Sequence, residues 1–298
     1  MGEEQIVIVG AGPAGCAAAV QCARLGVRPL LLDSSGKAGG LVANAFLVEN
    51  YPGLEKPLTG EVLTGRLAEH LARFDVTITA QTVSRVKPDS HGWLVRTDEQ
   101  DVRARCVILA TGTVPWPLSI PEERDLVSTV LFYEVRDLLA KIPSPKKIIV
   151  VGGGEASFDY SLSLATAGAS VSLLVRSDRV RARGRLGEMV MNHSEISVDL
   201  NTRLVTLKKT DEGVAATVIS ANCESHRPAD ALLAAVGRKS TAPLIISSPD
   251  PLSLTHAPGL FICGDARSDG LGQVGIAVGD GLAAAALAVK LAIREKVN

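Results

Sequence analysis

Two glycine-rich turns hold the residue types from which chemistry can be argued. Gly10-Ala11-Gly12-Pro13-Ala14-Gly15 fits the pattern GxGxxG. It lies between the aliphatic run Ile6 to Val9 and an alanine-rich stretch of helical length, and Asp33 closes the next aliphatic run. Glycine at those positions permits a tight turn and lets the backbone approach a pyrophosphate, which then rests on the N–H groups and positive end of the helix. Asp33 suits a hydrogen bond from a ribose 2'-hydroxyl and repels a 2'-phosphate. The turn predicts a site for the ADP portion of FAD or NAD; the plainer alternative is a turn that only lets strand and helix pack closely.

The second turn, Gly152-Gly153-Gly154-Glu155-Ala156-Ser157, fits GxGxxS, with Ser157 small enough for the close helix contact. Its strand end differs. Where Asp33 closes the first copy, this one has Val175 followed by Arg176, Arg179, Arg181, Arg183 and Arg185, five arginines in ten residues. Guanidinium forks suit bidentate phosphate contacts, which favours a 2'-phosphorylated nucleotide such as NADPH over NADH. A solvated basic loop is the alternative.

The elements that position these turns follow from an internal echo. Gln5 to Asp33 and Lys147 to Val175 share one grammar at an offset of 142 residues: aliphatic strand, glycine turn, helix, glycine stop, aliphatic strand. Continuous aliphatic strands joined by helices indicate parallel sheets covered on both faces. The expected class is α/β, with two Rossmann-like three-layer dinucleotide-binding domains, the second inserted into the first. Thr77 to Thr79, Trp93 to Thr97 and Val102 to Leu109 read as antiparallel strands, and so do Arg203 to Leu207, Val214 to Ile219 and Ala231 to Val236. Prolines at 115, 117 and 121, and again at 243, 249 and 251, mark two crossings. The first domain then comprises 1–116 and 243–298 and the second 117–242, because Gly259 to Asp265 holds a strand with no helical partner in its own segment.

Composition excludes other classes. A net charge of -1 and an aromatic share of 3% give no basis for nucleic-acid binding. The longest uninterrupted aliphatic run, Leu282 to Val289, is far short of the roughly 18 to 20 residues that cross a bilayer, so no transmembrane segment is expected. Glu3 and Glu4 lead straight into Ile6 without a basic region, so no export signal is expected and the cytoplasm is the default location. Cysteines at 16, 22, 106, 223 and 263 form no CxxC and no metal-ligand spacing. The histidines at 70, 91, 193, 226 and 256 show no catalytic or metal spacing, and no metal is expected.

Further short pieces accompany the two turns in a fixed order: Gly39-Gly40, Glu49-Asn50-Tyr51-Pro52-Gly53, Leu58-Thr59-Gly60, Ala110-Thr111-Gly112, and Gly264-Asp265 followed by Gln273. Jointly they make the chain resemble the low-molecular-weight thioredoxin reductases and related flavoproteins with two dinucleotide folds, over nearly its whole length. The resemblance implies FAD on the first fold, at Gly10, Gly12, Pro13, Ala14, Gly15, Asp33, Gly39 and Gly40. It gives Thr111 and Gly112 a second flavin contact, Asp265 the ribityl chain, Gln273 and Val274 the pyrimidine end of the isoalloxazine, and Asn50 an approach to the ring. It implies NADP(H) at Gly152, Gly154, Glu155, Ser157, Arg176 and Arg181, and a homodimer.

One departure changes the expected mechanism. The family's redox CxxC and following Asp fall, by matching Val127-Ser128, on Val130, Tyr133 and Glu134. Valine and tyrosine offer no thiolate and no resolving thiol, so a thioredoxin reductase of the usual mechanism is not expected. The first reading is an FAD-dependent oxidoreductase that passes electrons from NADPH or another donor to an unidentified acceptor. Leu131 to Asp137 also resembles the corresponding stretch of ferredoxin-NADP reductases of this fold, although their C-terminal aromatic cover has no counterpart before Asn298. A second reading follows a subgroup that holds a second FAD in place of NADPH and works with a disulfide elsewhere. Ser177 replaces one of the family's three nicotinamide-site arginines, and topology leaves Cys16 and Cys263 as the disulfide candidates, with small buried hydrophobes as their plainer role. A third reading is a redox-sensing regulator without turnover.

Overall fold

A computed structural model of the chain describes residues 3–90, 92–121, 123–182, 184–246, 257–267 and 272–294. Arg183, His91, His256 and the prolines at 249 and 251 lie outside the described residues. The chain forms two compact units: 1–43, 48–114 and 239–298 make the first, and 44–47 with 115–238 make the second. The sequence places the crossings at 116 and 243, and no composition shift marks the four residues 44–47.

In the first unit, β1 (Glu3–Val9) leads through the first glycine turn into α1 (Pro13–Arg24) and β2 (Leu30–Asp33). After α2 (Gly60–Arg73) come β3 (Ile78–Ala80), β4 (Val83–Asp89), β5 (Gly92–Thr97) and β6 (Asp101–Leu109). The sheet order is β3-β2-β1-β6-β5-β4. A short strand, β7 (Thr113–Pro115), leaves this unit.

The second unit runs α3 (Glu123–Leu126), β8 (Leu131–Phe132), α4 (Val135–Lys141), β9 (Lys147–Val151), α5 (Glu155–Thr166), β10 (Ser170–Leu174), α6 (Gly184–Met191) and β11 (Ile196–Asp199). It continues through β12 (Thr202–Thr210), β13 (Gly213–Ser220), β14 (Cys223–Ala229) and β15 (Ala231–Ala234). Its five-stranded sheet, β11-β10-β9-β15-β8, is accompanied by the three-stranded sheet β12-β13-β14. The returning strand β16 (Arg238–Ser240) pairs with β7, and α7 (Ala242–Ile245), β17 (Leu260–Ile262) and α8 (Val274–Arg294) complete the first unit.

Three strands read as antiparallel have a different partner. β3 runs parallel beside β2, β15 runs parallel to β8 and β9, and β6 is parallel to β1 and β17 while antiparallel to β5. The short β3 and the fully buried β15 carry too little alternation to reveal their direction, since a strand buried on both faces reads the same in either.

The layers follow from the two-residue side-chain period of a strand. Ile6, Ile8, Leu31, Cys106 and Ile108 lie on the side of α1 and α8, while Val7, Val9, Leu32, Val107 and Leu109 point to the other side, where they cluster with Trp93, Val95, Val102 and Leu260. The second unit repeats the device: Ile148, Val150, Val171 and Leu173 meet Phe158 and Leu162 of α5, and Ile149 and Leu232 meet Val214, Ala216 and Val218 of β13.

One helix is longer and more apolar than the expected absence of a membrane span allows. By length and composition Val274–Ile293 is apolar enough to cross a bilayer, because Val274, Ile276, Ala277 and Val278 before the short aliphatic run and Leu291, Ala292 and Ile293 after it extend its apolar character. Its Ala284, Ala285, Ala288 and Ala292 instead pack into the core that holds Ala18 and Ala19 of α1. Small residues allow that approach: a Cβ on Gly281 would collide with the Ala14 carbonyl.

Two glycines of α8 therefore respond oppositely to one substitution. Gly279→Ala, with nothing within 4 Å of its added Cβ, should raise stability by about 0.5–1 kcal/mol through helix propensity. Gly281→Ala should lower it by about 1–3 kcal/mol through overpacking. Denaturant midpoints of the two variants check the pair; the same sign for both would refute the packing described.

Candidate functional site

In the first glycine turn each glycine answers a different constraint. Gly10 has φ of 101°, and a Cβ there would strike the Ala110 carbonyl; a Cβ on Gly15 would strike the Gly10 carbonyl. At Gly12, by contrast, the Cβ position is open. Gly12 is also the residue before α1, and no side chain caps that end, so the first-turn N–H groups face the open side of the turn. Pro13 opens the helix, where its missing N–H costs nothing. The Asp33 carboxylate ties turn and strand together: Oδ2 accepts the Ala11 N–H at 2.8 Å, and Oδ1 accepts the Ser35 N–H at 2.9 Å and hydroxyl at 2.6 Å.

The other expected FAD residues of this unit lie around the same strand ends. Gly39 donates its N–H to the Ala11 carbonyl at 2.8 Å, and a Cβ on Gly40 would come within 3.1 Å of Gly12 Cα. Thr241 fixes the Thr111-Gly112 segment, its hydroxyl donating to the two carbonyls at 3.1 and 3.0 Å. The Thr111 Oγ1 is buried and has no hydrogen-bond partner among the described residues. Asp265 lies in a 3-10 turn opened by Gly264, where a Cβ would crowd Ala14. Gln273 directly precedes α8, whose first residue is Val274, and Asn50 donates to the Gln273 side-chain oxygen. An open, uncapped glycine cradle with an orphaned hydroxyl beside its strand ends fits an elongated dinucleotide with polar groups along its length.

The second turn is built alike. A Cβ on Gly152 would strike the Ala235 carbonyl, and one on Gly153 would crowd Val175. Gly154 precedes α5, again without a side-chain cap, and Glu155 is the exposed first residue of that helix. Ser157 is fully buried and donates to the Gly154 carbonyl at 2.7 Å, so it serves packing inside the turn. Arg181 donates its N–H to the Gly153 carbonyl at 2.7 Å, and its guanidinium lies 3.8 Å from the open Cβ position of Gly154. A fork at the mouth of an uncapped helix end suits phosphate. Arg176 is exposed past the end of β10, whereas Arg179 pairs with Asp178 at 3.5 Å in solvent.

The positions that the resemblance matches to the redox pair lie in packed and hydrogen-bonded surroundings. Val130 is buried in the apolar cluster with Leu131, Leu207 and Leu232. Tyr133 donates its hydroxyl to Glu123 and accepts the Leu118 N–H at 3.0 Å, while Glu123 also accepts the Ser119 N–H at 2.8 Å. Burial and the neighbouring Glu123 carboxylate push the Tyr133 phenol upward. Glu134 is the hub of a polar cluster: Oε1 pairs with Arg238 at 2.6 Å, and Oε2 accepts from Tyr160 and from Asn44, each at 2.9 Å. Burial, then the Glu134 charge, pushes the Tyr160 phenol up. Arg238, Tyr160 and Asn44 carry no motif, and the sequence reading missed them; the arginine four residues past the β15 strand end was the one available signal.

The disulfide candidates do not meet the needs of thiol chemistry. Cys16 and Cys263 are free thiols, each 1% exposed, and no disulfide joins them. Burial pushes both up to about 12, and the Cys16 thiol donates to the Ala11 carbonyl at 3.1 Å. A thiolate nucleophile needs the opposite shift. Cys223 is the exposed cysteine, beside the turn Ala221-Asn222.

Comparisons with known proteins agree with this architecture. A family model described as pyridine nucleotide-disulphide oxidoreductase matches residues 4–281. Among curated relatives, a thioredoxin reductase of Dictyostelium discoideum is 29% identical, with 95% of each chain covered. One of Neurospora crassa is 27% identical, covering 94% of this chain and 91% of the relative. The crystal structure of Lactococcus lactis thioredoxin reductase superimposes with a TM-score of 0.87 at 25% identity, over 98% of this chain and 99% of that one. A bacillithiol disulfide reductase of Bacillus cereus shares the fold, with a TM-score of 0.76 at 18% identity over 98% of this chain and 100% of that one.

Thiol accessibility tests the cysteine assignment directly. An aromatic disulfide reagent should label one thiol per native chain, Cys223, and all five only after unfolding. Rapid native labelling at Cys16 or Cys263 would contradict their burial.

Proposed function

The chain belongs to the pyridine nucleotide-disulphide oxidoreductase family of FAD-dependent oxidoreductases, and on that premise we propose that it passes electrons between NADPH and an acceptor without a dithiol relay in its second unit. The observation that carries this reading is the fate of the matched redox positions: Val130 lies in apolar core and the Tyr133 hydroxyl is committed to Glu123 and Leu118. A relay needs two thiols that exchange with substrate there, and neither side chain can form a mixed disulfide.

FAD, when bound, supplies two-electron chemistry with a nicotinamide and onward transfer to an acceptor. The chain's own residues bind and orient. Gly10, Gly12 and Gly15 give the pyrophosphate a close backbone approach, the uncapped start of α1 offers it N–H groups, and Asp33 addresses the ribose. Thr111, Gly112, Asp265, Asn50, Gln273 and Val274 hold the remainder of the flavin. The second glycine turn, with Arg181 at its mouth and Arg176 beyond, receives the 2'-phosphorylated nucleotide. Five cysteines outside any disulfide suit a reducing compartment, the cytoplasm.

A second copy of this chain is the proposed partner for the outward face of α8. Ile276, Leu282, Leu287 and Ile293 are each 40% or more exposed there, an apolar stripe that a two-fold partner would cover with its own equivalent. Light scattering should give a dimer for the native chain and a monomer for Leu287→Glu; a monomeric native chain would overturn the assignment.

The redox reading is checked by flavin release and anaerobic titration. About one flavin per chain should be released by acid, NADPH should bleach the oxidised band, and ferricyanide should be reduced while a thioredoxin disulfide is not. Two flavins per chain would support the second FAD in place of NADPH. Retained colour despite tight NADPH binding would support a regulator without turnover. Reduction of a disulfide substrate that is lost in Cys16→Ser or Cys263→Ser would overturn the absence of a thiol relay.

A further inference from the structure

We propose that Asp159 is a positioning residue: from the helix that opens the second glycine turn it holds the peptide Asn44–Leu47, and through that peptide the occupancy of the turn is felt by the chain that binds FAD. The inference rests on the reading above that Gly39, Gly40 and Asn50 lie on the flavin.

The chain leaves the first unit after Ala43 and rejoins it at Val48. Upstream of the four-residue peptide, Gly39 is bonded to Ala11 of the first glycine turn and Gly40 is close against Gly12. Downstream, Val48 and Leu58 exchange backbone hydrogen bonds at 2.7 and 3.1 Å, and Asn50 is bonded to Gln273. Both flanks are thus candidate flavin stretches, while the peptide between them is fastened within the second unit.

The fastening is specific. Asp159 Oδ2 accepts the Phe46 N–H at 2.9 Å, and the same carboxylate takes a backbone hydrogen bond from Leu47. Asn44 donates to Glu134 at 2.9 Å and accepts the Arg136 N–H at 3.2 Å. Phe46 packs against the core that contains Phe158 and Leu162. Asp159 lies on α5 only four residues after Glu155 and two after Ser157, all on one twelve-residue helix. A phosphate seated on the N-terminus of that helix acts on the same rod that carries the carboxylate.

The carboxylate itself is charge-sensitive. Burial raises Asp159 to about 6, and the two backbone N–H groups only partly offset it. Its ionisable surroundings are Tyr160 on the same helix, Glu134 and Arg238 beyond that phenol, and Arg136 on α4, whose N–H reaches Asn44. Once the peptide is released, the solvated carboxylate returns to the ordinary range. The held form therefore prefers the proton: its hold is full at acid pH and declines as pH rises toward and through about 6. Asparagine keeps an acceptor oxygen without the charge and should hold at every pH.

Hydrogen exchange of peptide 44–47 in the full chain tests this, with rates corrected for intrinsic pH dependence and with NADP+ as the probe. Wild-type protection should fall roughly tenfold or more between about pH 4.5 and 7. Asp159→Asn should remove that fall, and Asp159→Ala should exchange roughly tenfold faster at both values. NADP+ that protects 152–157 should also change exchange at 44–47 in the wild type and not in Asp159→Ala, whose FAD dissociation constant should rise several-fold and be restored by Asp159→Asn. Wild-type exchange in Asp159→Ala, or nucleotide binding that leaves 44–47 unchanged, would overturn the proposal. Should Asp159→Ala fail to fold, the pH profile of Asp159→Asn decides. A chain that takes up no FAD would sink the functional reading alone, since exchange at 44–47 still judges the hold.

Discussion

Backbone passes backbone in both glycine turns at a distance that leaves no room for a side chain. A Cβ on residue 15 would fall on the Gly10 carbonyl, and one on residue 10 on the Ala110 carbonyl. That crowding presses the start of α1 against the ends of β1 and β6, so uncapped N–H groups, the Asp33 carboxylate and the Thr111-Gly112 segment converge at one end of the sheet. Ala14 then lies close enough to α8 that residue 281 must also be glycine, and to Gly264 of the turn that carries Asp265. The same exclusion at Gly152 and Gly153 sets the start of α5 against Ala235 and Val175. A nucleotide-binding reading depends on this contact, because a helix end that admits a pyrophosphate must be reachable by backbone and free of a capping side chain.

The stretch around β8 spends its hydrogen-bonding capacity internally: Tyr133 and Glu123 fasten residues 118 and 119, and Glu134 gathers Arg238, Tyr160 and Asn44. A partly buried carboxylate with one cation and two neutral donors satisfies its lone pairs, which is the condition for keeping such a charge inside a domain.

The two glycine turns were legible as local units. Asp33 is expected at the ribose because a strand, a glycine turn, a helix and a second strand make a unit whose closing residue falls at a fixed place. Arg181 is expected at phosphate because a run of arginines follows the corresponding strand, and the structure puts its guanidinium beside Gly154. Ser157 is the small residue inside the turn, where it is buried and donates to the Gly154 carbonyl. Asp159 was not found, nor was Tyr160 or Arg238. Their partners stand 113, 26 and 104 residues away in the chain, so no spacing rule connects them. Strand direction in β3 and β15 was misread for a related reason: partner choice is a property of the sheet, while periodicity reports only burial.

Glycine spacing, aliphatic runs and cysteine positions already carry the two dinucleotide folds, the insertion of one into the other and the absence of a CxxC, because they are local and depend only on steric and hydrophobic rules. Tertiary structure alone decided that Cys16 and Cys263 are buried thiols pushed up to about 12, that residues 44–47 belong to the second unit, and that Glu134 and Asp159 are acceptors at its polar clusters. Desolvation and long-range hydrogen bonding set those outcomes, and both depend on what the fold places around a side chain, which no neighbour in sequence specifies.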